Sequence, residues 1–400
     1  MTCTAMINSD RTKREPVLQR TGVSFFASVA ATFSALCVAS VMSLSAAYAQ
    51  GAAKDSQIPG WDGLVAAANK EGALVISGPQ GRDWRVQLME FQKDYPGIKL
   101  EVTPMASRDF WPRFSKERDV GQILWDLRVG GLDAPGYAFK KAGALDPIKP
   151  LLMLPEVVDS TKWLGGIQNS YLDKEKEYFF AFIAYETASA SYNRKFASTP
   201  EDQSVKGLLQ PKFKGKISMA DPRGGASLNA LSAIYQVYGE EFIRKLLVDQ
   251  QPVITKEPRQ QMDWIASGRN PIAFGIPKAT FLEYGQRGVK LDDFVEMKEL
   301  KVWTPGVGAV TLMKGAPHPN AAKLFVNWLL KQETQEKLTL ALKLNSRRTD
   351  VKAHDPDLEV DAQNLAAYIG SQNEEIQDYQ SKVVAILQEI GKKQALFSLC

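Results

Sequence analysis

Cysteine is nearly missing from this chain. Three occur in 400 residues, Cys3, Cys37 and Cys400, which is too few for a disulfide framework or a cysteine-based metal centre. Histidine is scarcer still, with two: His318, in a turn that opens a helix, and His354, in a polar loop. A nucleophile–base–orienter triad therefore has few candidates. There is no P-loop, no HExxH, no GxSxG and no GxGxxG at a strand-to-helix turn, so the common phosphate-transfer, metalloprotease, hydrolase and dinucleotide sites are absent by motif. An excess of one charge is also missing. With 49 basic and 45 acidic residues the net charge is +4, too balanced for a nucleic-acid binder that relies on counterion release. No solenoid-period repeat and no low-complexity linker interrupts the sequence.

What is present begins with an export signal. Arg11, Lys13, Arg14 and Arg20 precede an uncharged, small and apolar run from Gly22 to Val41, and Ala47-Tyr48-Ala49 supplies a small-x-small cleavage site. That order reads as a secretory signal peptide over residues 1–49. The expectation is a periplasmic protein that retains one cysteine, Cys400.

Beyond the leader, apolar periodicity alternates between the helical and the strand repeat. It predicts a helix over 61–70, a strand over 73–77, a helix over 83–94 and a strand over 98–102. A basic helix and a strand over 125–129 follow. Further on it predicts a strand over 215–220, a helix over 227–238, a strand over 271–275, an extended stretch over 302–313 broken at Pro305-Gly306, and a helix over 317–331. Strands separated by helices imply βαβ units and mostly parallel sheets. The pattern occurs twice, so the fold class is α/β with two lobes linked by extended crossings; the ligand cleft between the lobes is what the resemblance described below implies.

Glycine-rich polar turns follow several strands. They are Ser77-Gly78-Pro79-Gln80-Gly81, Gly130-Gly131 and Asp221-Pro222-Arg223-Gly224-Gly225-Ala226-Ser227. Ligands bind beyond the carboxyl ends of strands in open parallel sheets. There helix N-termini offer unpaired N–H groups and glycine permits close approach. Arg223 adds a guanidinium fork and Ser227 a capping hydroxyl. Arg82, Arg128 and Lys278, near the turns, point with Arg223 to a carboxylate- or phosphonate-bearing solute. Trp84, Tyr137 and Trp303 are read as core residues.

Order and spacing of several short stretches carry a resemblance. They are Trp125-Asp126-Leu127, Gly143-Ala144-Leu145 with Pro147, and Tyr192-Asn193. Pro211-Lys212-Phe213-Lys214-Gly215-Lys216-Ile217 leading to Asp221-Pro222, and Gly315 to Ala322 ahead of Phe325 and Trp328, complete the set. Together they resemble the family 1 extracellular solute-binding proteins of ABC importers, in the iron(III)-type branch, over essentially the whole mature chain. The resemblance implies a type II periplasmic binding fold, a monomer that closes on a small solute, and docking on a membrane permease, with no cofactor, no catalysis and no nucleic acid. Its implied layout is a first lobe over 50–186, a second over 187–305, a return over 306–345 and C-terminal helices over 346–400. Crossings fall near 185–191, 306–311 and 345–349, with Tyr185 and Glu186 facing the cleft. Ferric-ion binders of that branch carry adjacent tyrosines in the second lobe. Here the comparable stretch, Phe274 to Thr280, has none, so an organic solute is preferred to ferric iron. An exported enzyme using Glu186 and Asp221 is the remaining alternative.

Overall fold

Short apolar strands dictate the architecture. The computed structural model describes residues 58–187, 190–276, 278–297 and 299–394. The expected signal peptide over 1–49 and Cys400 lie outside the described residues. Strands β1 (Ala73–Gly78), β2 (Lys99–Pro104), β3 (Leu127–Val129), β4 (Leu145–Asp146) and β5 (Phe179–Ala181) come first. Next are β6 (Tyr185–Thr187), β7 (Ser191–Asn193), β8 (Ile217–Ala220), β9 (Val253–Thr255), β10 (Ile272–Phe274) and β11 (Phe294–Glu296). The chain then runs through β12 (Lys301–Thr304), β13 (Ala309–Met313) and β14 (Tyr368–Gly370).

These strands form three sheets. The first has the order β2-β1-β3-β13-β4, with β5 also on β13. Its β1–β2 and β1–β3 pairs are parallel, and β13 runs antiparallel to β3, β4 and β5. The second has the order β11-β7-β10-β8-β9, parallel through β8, β9 and β10, with β7 antiparallel to both β10 and β11. The third joins β14, β12 and β6. Each large sheet carries helices and its own core, the two-lobed α/β architecture that the alternating pattern predicts.

The first core packs Leu74 and Ile76 of β1 against Leu88 and Phe91 of helix Arg82–Asp94 and Phe325 and Trp328 of helix Pro319–Leu330. Phe91 meets Phe325 and Trp328 edge-on at 5.1 and 5.4 Å, a favoured aromatic geometry. The second core gathers Ile217, Met219, Leu231, Ile234, Ile272 and Phe274, and is completed by Val383, Ile386 and Leu387 from the C-terminal helix Glu374–Gln394.

The predicted elements lie within a few residues of the observed ones, but two crossings differ. The second passes through β12, ahead of Pro305-Gly306, and residues 309–313 already belong to the first sheet. The stretch 345–349 remains with the first lobe: Ala184 N–H donates to the Asn345 carbonyl at 3.1 Å and Arg347 N–H to the Phe182 carbonyl at 2.8 Å. The third pass is β14, after which the C-terminal helix enters the second core. Among the described residues, no helix is long and apolar enough to cross a membrane.

One buried carboxylate fastens the first lobe. Asp126 is fully buried. It accepts from the Val75 N–H at 2.8 Å, from the His318 N–H at 2.7 Å, and lies 2.8 Å from His318 Nδ1. Strand β1, the entry to β3 and the start of helix Pro319–Leu330 are thereby tied at one point, and His318 has the turn role its sequence setting suggests. Asp126→Ala leaves two backbone donors without an acceptor, each costing about 1–3 kcal/mol. The expected result is a clear fall in the urea midpoint, with Asp126→Asn intermediate; an unchanged midpoint for Asp126→Ala contradicts this role.

Candidate functional site

A cavity of about 1060 Å³ opens where the small sheet meets the second lobe. Tyr185, Glu186 and Thr187 of β6 form one wall. Asp221, Arg223, Gly224, Gly225 and Ala226, the turn after β8, form another. The rest comes from Gly275 and Ile276 after β10, the edge strand β11 from Phe294 to Glu296, Phe281, Leu291 and Pro258, and from Asp357 and Leu358 on the segment tied to Asn345.

The turn after β8 is shaped by its sequence. Gly225 sits at φ 62° at the head of the twenty-residue helix Gly225–Arg244, and Gly224 at its cap has no side chain to satisfy the first amides. Those N–H groups have no intrahelical partner, and the aligned peptide dipoles put partial positive charge there. Arg223 folds back on Asp221: its Nε donates at 2.8 Å and its Nη2 at 2.5 Å. These bonds hold the Asp221 carboxyl below its usual range and the Arg223 guanidinium above its own. The pair also fixes the fork at the rim of the cavity, since the Asp221 carboxylate accepts from the Arg223 backbone N–H as well, at 3.1 Å.

The next turn is built around a glycine that cannot be replaced without movement. Gly275 sits at φ 80°, and a Cβ there would lie 2.5 Å from Ser227 Oγ. Ser227 is buried and donates to the Phe274 carbonyl at 3.2 Å. It packs the helix start onto the sheet rather than lining the cavity. Lys278 opens helix Lys278–Gln286; its side chain lies outside the described residues.

On the small sheet, Glu186 stands opposite Trp303 in the β6–β12 register. Its Oε2 accepts from the Tyr368 hydroxyl at 2.5 Å, which joins β6 to β14 through side chains. Burial and this carboxylate raise the Tyr368 pKa, and burial raises that of Tyr185.

Tyr185, Glu186, Asp221, Arg223, Gly224 and Gly225 of the expected site thus come together around one cavity. The expected residues of the first lobe lie elsewhere. Arg128 is 3% exposed. It donates to Ser77 Oγ at 3.2 Å and Ser107 Oγ at 2.7 Å, and its guanidinium lies 4.7 Å from the Phe110 ring centre and 5.5 Å from that of Trp111. Burial lowers its pKa to about 10. It is a packed cation beneath helix Ser107–Asp119. Gly78 is wedged where a Cβ would meet Val102 at 2.9 Å. Gly130 donates its N–H to the Ala309 carbonyl, and Gly131 leaves 2.6 Å between a notional Cβ and the Gly306 carbonyl. Gln80, Gly81 and Arg82 are exposed and off the cavity wall. Trp84, Tyr137 and Trp303 are buried, as read from the sequence.

Sequence reasoning missed Glu296 and Asp357. Strand β11 is three residues long on a sheet edge, and Asp357 reaches the cavity through a fold-back that no periodicity encodes. Among the described residues, no group of three or more His, Cys, Asp or Glu is placed to hold a metal ion.

Comparison with known proteins places this geometry in a class. A family model described as bacterial extracellular solute-binding protein matches residues 183–340, which include β6, the β8 and β10 turns and β11. A protein of Haemophilus influenzae described as uncharacterized is 32% identical over 139 residues, 33% of this chain and 38% of that protein. The chain therefore spans 38% of the length of that relative. Iron-bound HitA from Pseudomonas aeruginosa superposes with a TM-score of 0.55 at 16% identity, covering 80% of this chain and 99% of that one. AfuA from Actinobacillus pleuropneumoniae, with exogenous fructose-6-phosphate bound, gives 0.54 at 21% identity, covering 81% and 99%. The fold is that of the type II periplasmic binding proteins. At the level of sequence the family match covers residues 183–340, less than the whole mature chain.

The two arginines differ in how far they are buried. Arg223→Ala removes an exposed ion pair worth under about 1 kcal/mol, so the melting temperature should hardly move. Arg128→Ala removes a buried, stacked side chain and should destabilise by more than about 2 kcal/mol. Calorimetry of both variants checks this; the reverse pattern contradicts it.

Proposed function

We propose that this chain is the periplasmic substrate-binding component of an ABC importer. It captures a small organic solute with an anionic group in the cavity and delivers it to a membrane permease, without catalysing a reaction on it. The observation that carries the reading is the turn from Asp221 to Gly225, which presents a glycine-capped helix start and a fixed guanidinium to a cavity of about 1060 Å³. Unpaired helix amides and an arginine fork are the donors that a carboxylate or phosphate needs. The fold likeness and the matched solute-binding model support the role, and the signal sequence over 1–49 supports export.

Closure follows from the same reading. Residues 50–186 and the return over 306–345 make the first lobe, and residues 187–305 the second, with the C-terminal segment packing on both. A solute held at the turn after β8 draws the exposed turn from Gln80 to Arg82 toward it, because contacts to both lobes favour the closed form. Lys278 is assigned to the closed site in the same way, whereas the Gly130-Gly131 turn, packed against Ala309 and Gly306, is left out of it.

Ferric iron is the competing cargo, since HitA was solved iron-bound. Thermal-shift screening of the mature protein against sugar phosphates, organic acids, phosphonates and ferric citrate distinguishes them. A ligand in hundredfold excess over its Kd stabilises by about 2.7 kcal/mol. The expected result is a rise in melting temperature with organic anions and none with ferric citrate. A response to ferric citrate alone, with colour, contradicts the organic assignment, and turnover of any compound contradicts the binding role.

A further inference from the structure

Resting on the reading above, the cavity wall narrows the class of solute: we propose that its body is hydrocarbon, a ring or a branched chain, rather than a polyol. Space and surface carry this together. The cavity of about 1060 Å³ lies at the top of the range of about 300–1,000 Å³ usual for small-molecule sites. An anionic head fills a small part of it, so the body decides what covers the remaining wall. Ile276, Phe281 and Phe294 line that wall. All three are half-buried and packed against a small core of Met262, Ile265, Ala273 and Tyr284. The Phe281 and Phe294 rings stand 5.6 Å apart at 62°, edge to face, a favoured geometry that fixes them as a platform. Tyr185 of the small sheet and Leu358, also half-buried, line the same cavity. Leu358 closes the short turn Pro356–Leu358, and Asp355 just before it is bonded in both directions to Asn345. Apolar side chains thus reach the cavity from the second lobe, from the small sheet and from the segment tied to Asn345. Covering such surface with hydrocarbon removes it from water and favours binding.

The polar groups of the wall are largely engaged already. Asp221 accepts from Arg223 through two side-chain bonds. Glu186 accepts from the Tyr368 hydroxyl at 2.5 Å, and Glu296 has a partner within the protein. Among the described lining residues there is no Asn, Gln or His. The hydrogen-bonding side chains beyond these are Thr187, Ser191 and Asp357, and Ser191 is 6% exposed. A sugar body brings several hydroxyls, each with a proton and lone pairs to place. Against this wall most of them would give up water without gaining a partner, and each such loss opposes binding. A hydrocarbon body gives up nothing polar.

Compounds matched in their heads test this by isothermal titration of the mature protein: 3-phenylpropionate against gluconate, and 2-phenylethylphosphonate against fructose-6-phosphate. The hydrocarbon member of each pair should bind at least about tenfold more tightly and with a negative heat-capacity change, the mark of buried apolar surface. Phe294→Ala, on the edge strand β11, and Leu358→Asn, on a short turn, should each weaken the phenyl compounds at least about fivefold and leave the polyols unmoved. Circular dichroism verifies that each variant keeps the fold, and either one alone suffices where the other does not. Equal or tighter binding of the polyol in either pair overturns the hydrocarbon body and leaves the binding-protein reading standing. A preference that survives undiminished in every folded variant does the same, as does silence toward the phenyl compounds with a response to sugar phosphates or ferric citrate. Silence toward all four compounds and every member of the wider screen counts against the solute-binding reading itself.

Discussion

Three stretches of chain pass between the cores, and they hydrogen-bond to one another. Strand β12 lies between β6 and β14, antiparallel to the first and parallel to the second. Backbone amides that leave one core for another must still find partners, and this small sheet supplies them. The consequences reach outward. Because β6 is held in register, Tyr185 and Glu186 face the cavity. The third pass also delivers the C-terminal helix to the second core, while its first turn stays bound to the first lobe. There Lys140 pairs with Glu374 at 2.6 Å and also with Glu175, and the Tyr137 hydroxyl donates to the Gln372 carbonyl at 2.6 Å. The helix therefore straddles the lobes, and any closing motion has to turn about this helix start and the small sheet together.

Turns of similar composition serve different ends. The glycines after β1 and β3 are consumed by packing: Gly78 against Val102, Gly131 against the Gly306 carbonyl. Those after β8 meet nothing within 4 Å at Gly224 or Gly225, so a ligand can approach their backbone. Composition at a strand end marks a place where backbone is approached closely. It does not say whether the visitor is a solute or the protein itself.

That difference explains how far the sequence could be read. The 3.6-residue repeat located helices such as Trp61–Glu71 and Pro319–Leu330, because each has one strongly apolar face. The Asp221–Gly225 turn was legible from Gly-Gly after a strand and before a helix. The fate of Arg128 was not. Its direction on β3 is set by Phe110 and Trp111, from a helix distant in sequence, and by the Ser77 and Ser107 hydroxyls. Strand β11 was missed because three residues carry too little alternation to register, and Glu296 was missed with it. The third crossing at 368–370 follows polar loops with no periodic signal.

The central claim is that the head of helix Gly225–Arg244 holds the negatively charged end of the solute. Backbone amide shifts measured by nuclear magnetic resonance, during titration of the mature protein with inorganic phosphate as a headgroup probe, address it most directly. The account predicts that the largest saturable shifts fall on Gly224, Gly225 and Ala226. Shifts concentrated on residues 77–82 of the first lobe, or no saturable shift at the 221–227 turn, would contradict it.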